Sequence, residues 1–319
     1  MKQRPKIQGG LTLVEILIAM TLSSLAIAGA MRLHTVSSRM FRASLAEASM
    51  HESARLALYA LRQDIQKAGQ FAFAAAQEPL AAVIDDAPAV RNDCGERWSV
   101  SIDSGLAGSN NAYTWQCRPY SDSAAAGADT LVTRFSEAAP EPILEINRVY
   151  VESSADGRIS VFVPGTAQAL PDDTLTAIEA LHTRGYYVSN ASIGATASAP
   201  LPALRAKTLT SGPAGPRVSD IEVQPGIDDM QIEFGIDADA PDAPGYGEID
   251  GFEPAKMPAA GERVLAVRIW LRVRSLWHEP DLPPQRLEGY ADRAPRQFSD
   301  GFRRALAVTT IDIDSAREL

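Results

Sequence analysis

The sequence predicts an α+β protein in which a long N-terminal helix, membrane-spanning in its first half, packs on a largely antiparallel β-sheet head. Three observations support this fold class. An apolar run occupies residues 11–31, a helical repeat of apolar residues continues to Ala68, and short segments of alternating polarity follow. With 319 residues, the chain is long enough to bury a sizeable core.

Composition and charge limit the classes of function. The chain is 45% hydrophobic and 22% charged, as in an ordinary globular protein, and its formal net charge is -10. Phosphate contacts need a positive field, which this balance does not supply. We therefore expect no nucleic-acid binding by the protein itself.

A short basic leader precedes the apolar run. The leader carries Lys2, Arg4 and Lys6 and no acid, and the run contains one ionisable side chain, Glu15. About 21 residues are enough to span a hydrocarbon core of roughly 30 Å. A carboxylate there costs roughly 2–3 kcal/mol at mid-bilayer, so Glu15 is a functional candidate that needs a partner.

Two interpretations of the N-terminus follow from its composition. The basic leader, the apolar run and the small residues at 26–30 fit a cleaved secretory signal. The three cations also fit a plain signal anchor, which keeps the N-terminus in the cytoplasm and places the rest outside. Neither interpretation gives Glu15 a role.

A third interpretation rests on residues 10–15, Gly-Leu-Thr-Leu-Val-Glu. This stretch resembles the processing site of type IV prepilins and related pseudopilins. The resemblance implies that residues 1–10 are a leader peptide, that a prepilin peptidase cuts between Gly10 and Leu11, and that the new amine of Leu11 is methylated. Leu11 departs from the phenylalanine that is commonest at this position in the family. Glu15 corresponds to the family's acidic fifth residue after the cut.

Helix geometry supports a role for Glu15 in charge pairing and assembly. Leu11 and Glu15 are four residues apart and therefore lie on one helix face. The helix dipole also favours a carboxylate in the first turn. Glu15 can neutralise the amine of its own chain or that of a neighbouring subunit, and a tolerated acid near the membrane interface is the alternative.

The helical pattern continues through residues 32–69 as an amphipathic segment. Proline is absent from Ile7 to Glu78, and Gly69 suits a C-cap. The pattern predicts one helix from about Leu11 to Ala68, and two helices with a break near residues 32–39 are the alternative. Apolar residues recur at spacings of three and four at Met50, Ala54, Ala57, Leu58, Leu61, Ile65 and Ala68.

Residues 70–319 predict a β-rich periplasmic head. Residues 264–274 and 230–234 alternate between apolar and polar side chains, which is typical of half-buried strands. Proline- and glycine-rich loops are predicted at 195–217 and 237–261. Further strand candidates lie near residues 98–102, 130–135, 147–152, 158–163, 186–188 and 306–313.

The redox state of the two cysteines, Cys94 and Cys117, depends on the compartment of the head. In an exported protein they form a natural disulfide pair, and closing this loop stabilises by roughly 3 kcal/mol. In a cytosolic protein they would be reduced bystanders.

Three further segments resemble the PilW family of minor pilins: residues 57–69, residues 227–237, and residues 264–275 with the tail 302–310. The resemblance implies a type IV pilin-like fold and a low-abundance subunit that helps to initiate the pilus or lies near its tip. The implied partners are the prepilin peptidase, other major and minor pilins, and the inner-membrane assembly platform. The expected location is a single span of the inner membrane, with a cytoplasmic N-terminus, and then the pilus at the cell surface.

Other functions remain open at the level of sequence. A minor, J-like pseudopilin of a type II secretion system shares the same junction and long helix. A signal-anchored periplasmic binding protein is a more remote alternative. The four histidines have no metal-ligand spacing, and no phosphate loop or dinucleotide fingerprint occurs, so we expect no enzyme, no catalytic residues and no cofactor.

Two charged patches carry weaker hypotheses. Asp237, Asp239 and Asp242 are weak calcium candidates, because calcium takes oxygen ligands at alternate positions, but prolines interrupt their spacing and favour a solvated acidic loop. A basic row on one strand suits an acidic partner subunit, whereas a solvent face with local ion pairs is the favoured interpretation. The row consists of Arg268, Arg272 and Arg274.

Overall fold

Among the residues that the structure describes, one α-helix, α1, runs from Leu13 to Lys67 and precedes the strands. The computed structural model describes residues 12–71, 74–75, 88–138, 143–154, 158–170, 176–194, 200–240, 242–259 and 262–313. The helix continues through residues 32–39 without a break, and Gly29 lies inside it. The prediction of one helix is therefore confirmed, and the two-helix alternative is wrong.

The chain divides into two units, residues 1–48 and 49–319, which are described separately. In the first unit, α1 exposes apolar side chains on all of its sides. An all-round apolar helix is either a core helix or a membrane span. No part of its most apolar window is buried, so by length and composition this helix can cross a membrane. The exposed side chains include Leu13, Val14, Ile16, Leu17, Ile18, Met20, Leu22, Leu25, Ile27 and Met31.

The described part of the second unit is dominated by strands, with one short 3-10 turn at Tyr120–Asp122. The first strands are β1 (Gln70–Phe71), β2 (Ala74–Ala75), β3 (Leu106–Ser109), β4 (Thr130–Ala138), β5 (Ile143–Leu144), β6 (Tyr150–Ser154), β7 (Ile159–Phe162), β8 (Gln168–Ala169) and β9 (Thr176–Ser189). The remaining strands are β10 (Ala203–Thr210), β11 (Arg217–Pro225), β12 (Ile227–Asp237), β13 (Gly251–Pro254), β14 (Arg263–Arg274), β15 (Gln285–Leu287), β16 (Arg296–Phe298) and β17 (Arg304–Asp312).

Two large sheets organise these strands. The seven-stranded sheet has the order β11-β10-β9-β4-β3, and β6 pairs with both β9 and β7. The four-stranded sheet has the order β13-β12-β14-β17. Three small pairs, β1–β2, β5–β8 and β15–β16, lie outside them. Each of these strand pairings is antiparallel, which confirms the predicted α+β class.

One stripe of α1 packs into the main core of the second unit. The stripe meets Leu131 and Leu204 from the seven-stranded sheet and Ile232 and Ile269 from the four-stranded sheet, so one core serves both sheets. Burying a side chain such as Leu61 stabilises by about 1.5–3 kcal/mol. Of the residues that the periodicity predicts, Leu58 is partly buried at the edge of this core. The buried ones are Met50, Ala54, Ala57, Leu61 and Ile65 in the helix and Ala68 directly after it.

Three local predictions for the head are wrong. Residues 98–102 form a turn, in which the N–H groups of Val100 and Ser101 donate to the carbonyl of Arg97 at 3.1 and 2.8 Å. The side chains of Val100 and Ile102 are buried, and burial alone does not distinguish a turn from a strand. The predicted loop at 195–217 contains β10, and the predicted loop at 237–261 contains β13. The prolines and glycines that flank both strands are typical of loops, so the sequence predicts a loop at each place.

The C-terminal end of α1 depends on two glycines. Gly69 has φ of 83° and ends the helix in the left-handed region, as predicted for a C-cap. Its N–H donates to the carbonyl of Arg134 on β4 at 2.9 Å. A Cβ at Gly105 would lie 2.3 Å from the nitrogen of Gly69. The helix end and the start of β3 can therefore approach only because residue 105 has no side chain.

We expect Gly105→Ala to destabilise the protein by about 1–3 kcal/mol, because its methyl group meets backbone that cannot move aside. Thermal unfolding of the purified full-length protein in detergent measures the change. Gly165→Ala is the matched control, since nothing lies within 4 Å of its Cβ. Equal losses in the two variants would contradict the close approach of the helix end to β3.

A buried carboxylate, Asp129, joins the two large sheets. It precedes β4, and its Oδ2 accepts a hydrogen bond from the N–H of Ile232 on β12 at 2.7 Å. Its Oδ1 accepts from the N–H of Asn111 at 2.8 Å. Burial raises the pKa of Asp129 to about 7, and the negative charges of Asp292 and Asp229 add to the rise.

The stability of the protein should depend on pH through Asp129. Its folded pKa of about 7 exceeds the ordinary value of 3.8, so the folded state holds an extra proton between these values. The stabilisation is complete below about pH 4 and is lost as the pH rises towards 7. We expect the free energy of unfolding to fall by about 1–3 kcal/mol from pH 5 to pH 8 on this account.

Urea unfolding of wild-type and Asp129→Asn proteins at both pH values checks this expectation. Asparagine does not titrate, so the variant should lack this part of the fall, whatever stability it has lost overall. A stability difference between the two proteins that is the same at pH 5 and pH 8 would contradict the assignment.

Candidate functional site

Reciprocal contacts between Thr12 and Glu15 close the N-terminal end of α1. Oε2 of Glu15 accepts hydrogen bonds from the N–H of Thr12 at 2.8 Å and from its hydroxyl at 2.9 Å. The N–H of Glu15 donates to Oγ1 of Thr12 at 3.3 Å. This arrangement is a capping box, in which two residues satisfy backbone groups that the first helical turn leaves free. Oε1 of Glu15 has no hydrogen-bond partner among the described residues.

The predicted cleavage and methylation positions, Gly10 and Leu11, lie outside the described residues. The geometry around Glu15 is therefore described only towards Thr12 and the helix. A Thr-x-x-Glu signature predicts the capping box from sequence, and an argument from charge pairing alone overlooks it.

A buried carboxylate, Asp64, fastens the second half of α1 to the seven-stranded sheet. Nη1 of Arg184 on β9 donates to both carboxylate oxygens, at 2.9 and 3.1 Å. The hydroxyl of Tyr186, also on β9, donates to Oδ2 at 2.6 Å. Burial raises the pKa of Asp64, against the opposing effects of Arg184 and Tyr186. One turn later, Lys67 pairs with Glu137 of β4.

We expect Asp64→Ala to lower the free energy of unfolding by about 2–4 kcal/mol, because the buried hydroxyl of Tyr186 and the half-buried Arg184 lose their partner. Chemical unfolding of the full-length protein measures the loss. The control is Glu52→Ala, which removes an exposed ion pair with Arg55 on the same helix and should lower the stability far less, because solvent screens exposed charges. A loss no larger than that of the control would contradict the anchoring role.

Cys94 and Cys117 form a disulfide bond, as predicted. The loop that it closes carries Trp98 and Trp115, whose ring centroids are 5.3 Å apart. A Cβ at Gly185 of β9 would come within 2.6 and 2.7 Å of these two rings. The disulfide therefore holds an aromatic pair against a strand of the large sheet at a position where only glycine leaves room.

The predicted calcium candidates are Asp237, the last residue of β12, and Asp239 and Asp242 in the acidic loop that follows. Carboxylate oxygens of Asp237, Asp239 and Asp250 lie within 4.8 Å of one another, and Asp242 is not part of this group. Asp237 is fully buried and pairs with Nη1 of Arg263 at 3.3 Å. Because Arg263 already balances this buried charge, the geometry favours a structural role for the loop.

The three arginines of the predicted basic row form ion pairs or hydrogen bonds within the head. This favours the interpretation as local contacts over binding of an acidic partner subunit. The nearest partners are Glu233 for Arg268, Asp228 for Arg272 and the carbonyl of Pro200 for Arg274, at 3.3, 2.6 and 2.6 Å.

Two family models match the chain. Residues 5–31 match the prokaryotic N-terminal methylation motif, and residues 185–315 match the type IV pilus-assembly protein W, PilW. Together the two matches support a PilW-like, type IV prepilin-like protein. Comparison with curated proteins and with solved structures gives no significant match.

The two matches cover the N-terminal part of the chain and the C-terminal strands of the head. The first covers the N-terminal junction and the apolar run of α1, and the second covers the end of β9 and all of β10 to β17. The PilW-like segments at 227–237, 264–275 and 302–310 lie inside the second match, whereas the segment at 57–69 lies outside both. A PilW-like prepilin is related to the type IV pilus, and proteins of this kind are structural.

Proposed function

We propose that this PilW-like prepilin is a minor type IV pilin that helps to initiate and assemble the pilus. After processing, its N-terminal helix inserts it into the fibre or the fibre tip. The observation that carries the proposal is the joint occurrence of the methylation motif, the capping box at Glu15 and an apolar helix that continues into a PilW-like head.

Glu15 is proposed to pair with an N-terminal amine during assembly. The capping box uses only Oε2 of Glu15, which leaves Oε1 available to accept a cation. The amine is that of methylated Leu11, either in the same chain or in a neighbouring subunit. Pairing inside the membrane offsets the cost of the buried carboxylate and sets the register between helices.

The domain organisation follows from this proposal. Residues 1–10 are the leader that the prepilin peptidase removes, residues 11–31 form the membrane and fibre-core segment, and residues 32–69 continue the helix. Residues 70–319 form the periplasmic head. The disulfide between Cys94 and Cys117 supports an oxidising location for this head.

The proposed partners are the prepilin peptidase, other pilins and the inner-membrane assembly platform. The protein is located first in the inner membrane and then on the pilus at the cell surface. The PilW match supports a pilus rather than a type II secretion pseudopilin, and the methylation motif supports a prepilin rather than a signal-anchored binding protein. No catalytic activity and no nucleic-acid binding are proposed.

One experiment tests processing and assembly together. In cells that carry the complete pilus system, we expect the mature protein to begin at methylated Leu11, as measured by intact mass. We expect Glu15→Ala to leave membrane insertion and cleavage intact but to reduce the number of pili per cell to that of a deletion strain.

The matched control is Glu47→Ala, an exposed acid farther along the same helix, which should leave the pili unchanged. A mature N-terminus at another residue would overturn the processing assignment. A normal number of pili in the deletion strain would overturn the assembly function.

A further inference from the structure

A cavity of about 210 Å³ lies beside the connection between β15 and β16. Its wall contains side chains from β14, from β15 and β16, from the turn at residues 290–293 and from the loop before β4. Sites for drug-sized ligands measure about 300–1,000 Å³, so this cavity has room for a smaller group. Arg272, from the predicted basic row, is part of the wall.

Positive charge predominates in this wall. Among the described residues that line it, Arg272, Arg293 and Arg296 are cationic and Glu288 alone is acidic. The side chain of Glu288 is 80% exposed and pairs at 3.5 Å with Arg286, which is not part of the wall. The whole chain carries a formal net charge of -10, so a wall with three cations and one acid is a local exception that favours an anion.

Acids behind the wall hold two of the arginines in place. Nε and Nη2 of Arg293 donate to the two carboxylate oxygens of Asp229 at 3.2 and 2.9 Å. Nε of Arg272 donates to Asp228 at 2.6 Å. Asp229 is buried, and neither acid lines the cavity. Nη1 of Arg293 has no hydrogen-bond acceptor within the described part of the chain, so this group is available to a ligand.

The third arginine, Arg296, pairs with no carboxylate among the residues that the structure describes. Its guanidinium carbon lies 5.0 Å from the ring centroid of Phe298, and that of Arg272 lies 5.2 Å from the same centroid. Cation–π attraction at these distances positions both guanidinium groups beside the cavity. The hydrogen-bond donors of Arg296 therefore stand in the wall without an acid to satisfy them.

The turn that carries Arg293 is strained. The backbones of Tyr290 and Arg293 exchange hydrogen bonds of 3.1 and 2.8 Å. Ala291, between them, has φ of 47°, a left-handed conformation for which such turns prefer glycine. Strain of this kind persists where the surroundings fix the backbone, and it clusters at ligand-binding sites. The hydroxyl of Tyr290 also donates to Asp229, at 2.5 Å, so the turn fixes both of its end residues on one buried acid.

The donors and the apolar surface of the wall indicate the chemistry of the ligand. The planar fork of a guanidinium group matches a carboxylate, with which it forms two parallel hydrogen bonds. Leu287 and Phe298 add apolar surface that suits the methylene groups next to such a carboxylate.

From this geometry we infer that the cavity binds an aliphatic carboxylate. Arg293 and Arg296 contact the carboxylate, and Leu287 and Phe298 pack on its stem. Arg272 keeps its contact with Asp228 and contributes its charge only. The carboxylate belongs either to a free small acid or to a glutamate side chain of another protein. The inference goes beyond the proposed function and does not depend on it.

Calorimetric titration of the full-length protein in detergent, at constant ionic strength, tests the inference. The probe is glutarate, a short aliphatic dicarboxylate. We expect one glutarate to bind per chain with a Kd of about 1 mM or lower. Glutaramide, which has a similar shape without charge, should bind at least about tenfold more weakly, and so should inorganic phosphate, which has no apolar stem.

Three substitutions locate the binding. Arg296→Gln should weaken the binding of glutarate by about tenfold or more, because it removes the unpaired cation. Arg118→Gln is the matched control: it makes the same change of charge on an 86% exposed arginine outside the cavity and should leave the Kd unchanged. Glu288→Gln removes the acid of the wall and should strengthen the binding by about threefold, a gain that damage to the fold does not produce.

A second titration distinguishes the two sources of the carboxylate. Its probe is a short peptide that is blocked at both ends and contains one glutamate. If the peptide binds at least as tightly as glutarate, the source is a side chain of another protein. If the peptide binds more weakly than glutarate, the source is a free small acid.

Binding of neither carboxylate probe at roughly 10 mM would overturn the inference. So would binding of glutaramide or phosphate as tight as that of glutarate, or the same Kd in the Arg296→Gln and Arg118→Gln proteins. Weaker binding in the Glu288→Gln protein would contradict the role of the wall charges. None of these results bears on the pilus, whose test counts pili and measures the mature N-terminus.

Discussion

The head is organised around the burial of one narrow stripe of α1. This stripe is the surface on which residues of both large sheets meet, so neither sheet has a complete core without it. Three of its members, Ala54, Ala57 and Ala68, are small, and small side chains allow the helix and the sheets to approach closely. The single buried acid on this part of the helix, Asp64, is satisfied by β9, which fixes the rotation of the helix as well as its position.

The sequence predicts those elements of the fold whose apolar residues recur at regular spacing. The helical stripe and the strand at 264–274 are readable because apolar residues recur with the period of the element. The apolar residues of segment 98–102 suggest a strand, but Val100 and Ile102 are buried in a segment that pairs with no strand among the described residues. The pairing of Asp64 with Arg184 joins residues 120 positions apart, and no local pattern contains that information. The capping box at Glu15 lies within four residues and was predictable from its signature.

Two arginines are buried inside the head, where they bind internal acceptors. Arg205 is almost completely buried and pairs with Asp220 and Glu222 at 2.8 and 3.0 Å. Arg134 is also buried, donates to the carbonyl of Trp98, and has its pKa lowered by burial to about 10. Several cations are therefore used to satisfy internal groups in an acidic chain.

The capping box at Thr12 has a consequence for the proposed processing step. If the prepilin peptidase cuts between Gly10 and Leu11, the broken peptide bond lies one residue before the Thr12 nitrogen, and the N–H of Thr12 stays an amide in the shortened chain. The groups that form the hydrogen bonds between Thr12 and Glu15 would therefore be present before and after the cut. Such a cut would remove none of the atoms that close the helix end. It would place a new amine in front of that end and so change its electrostatics.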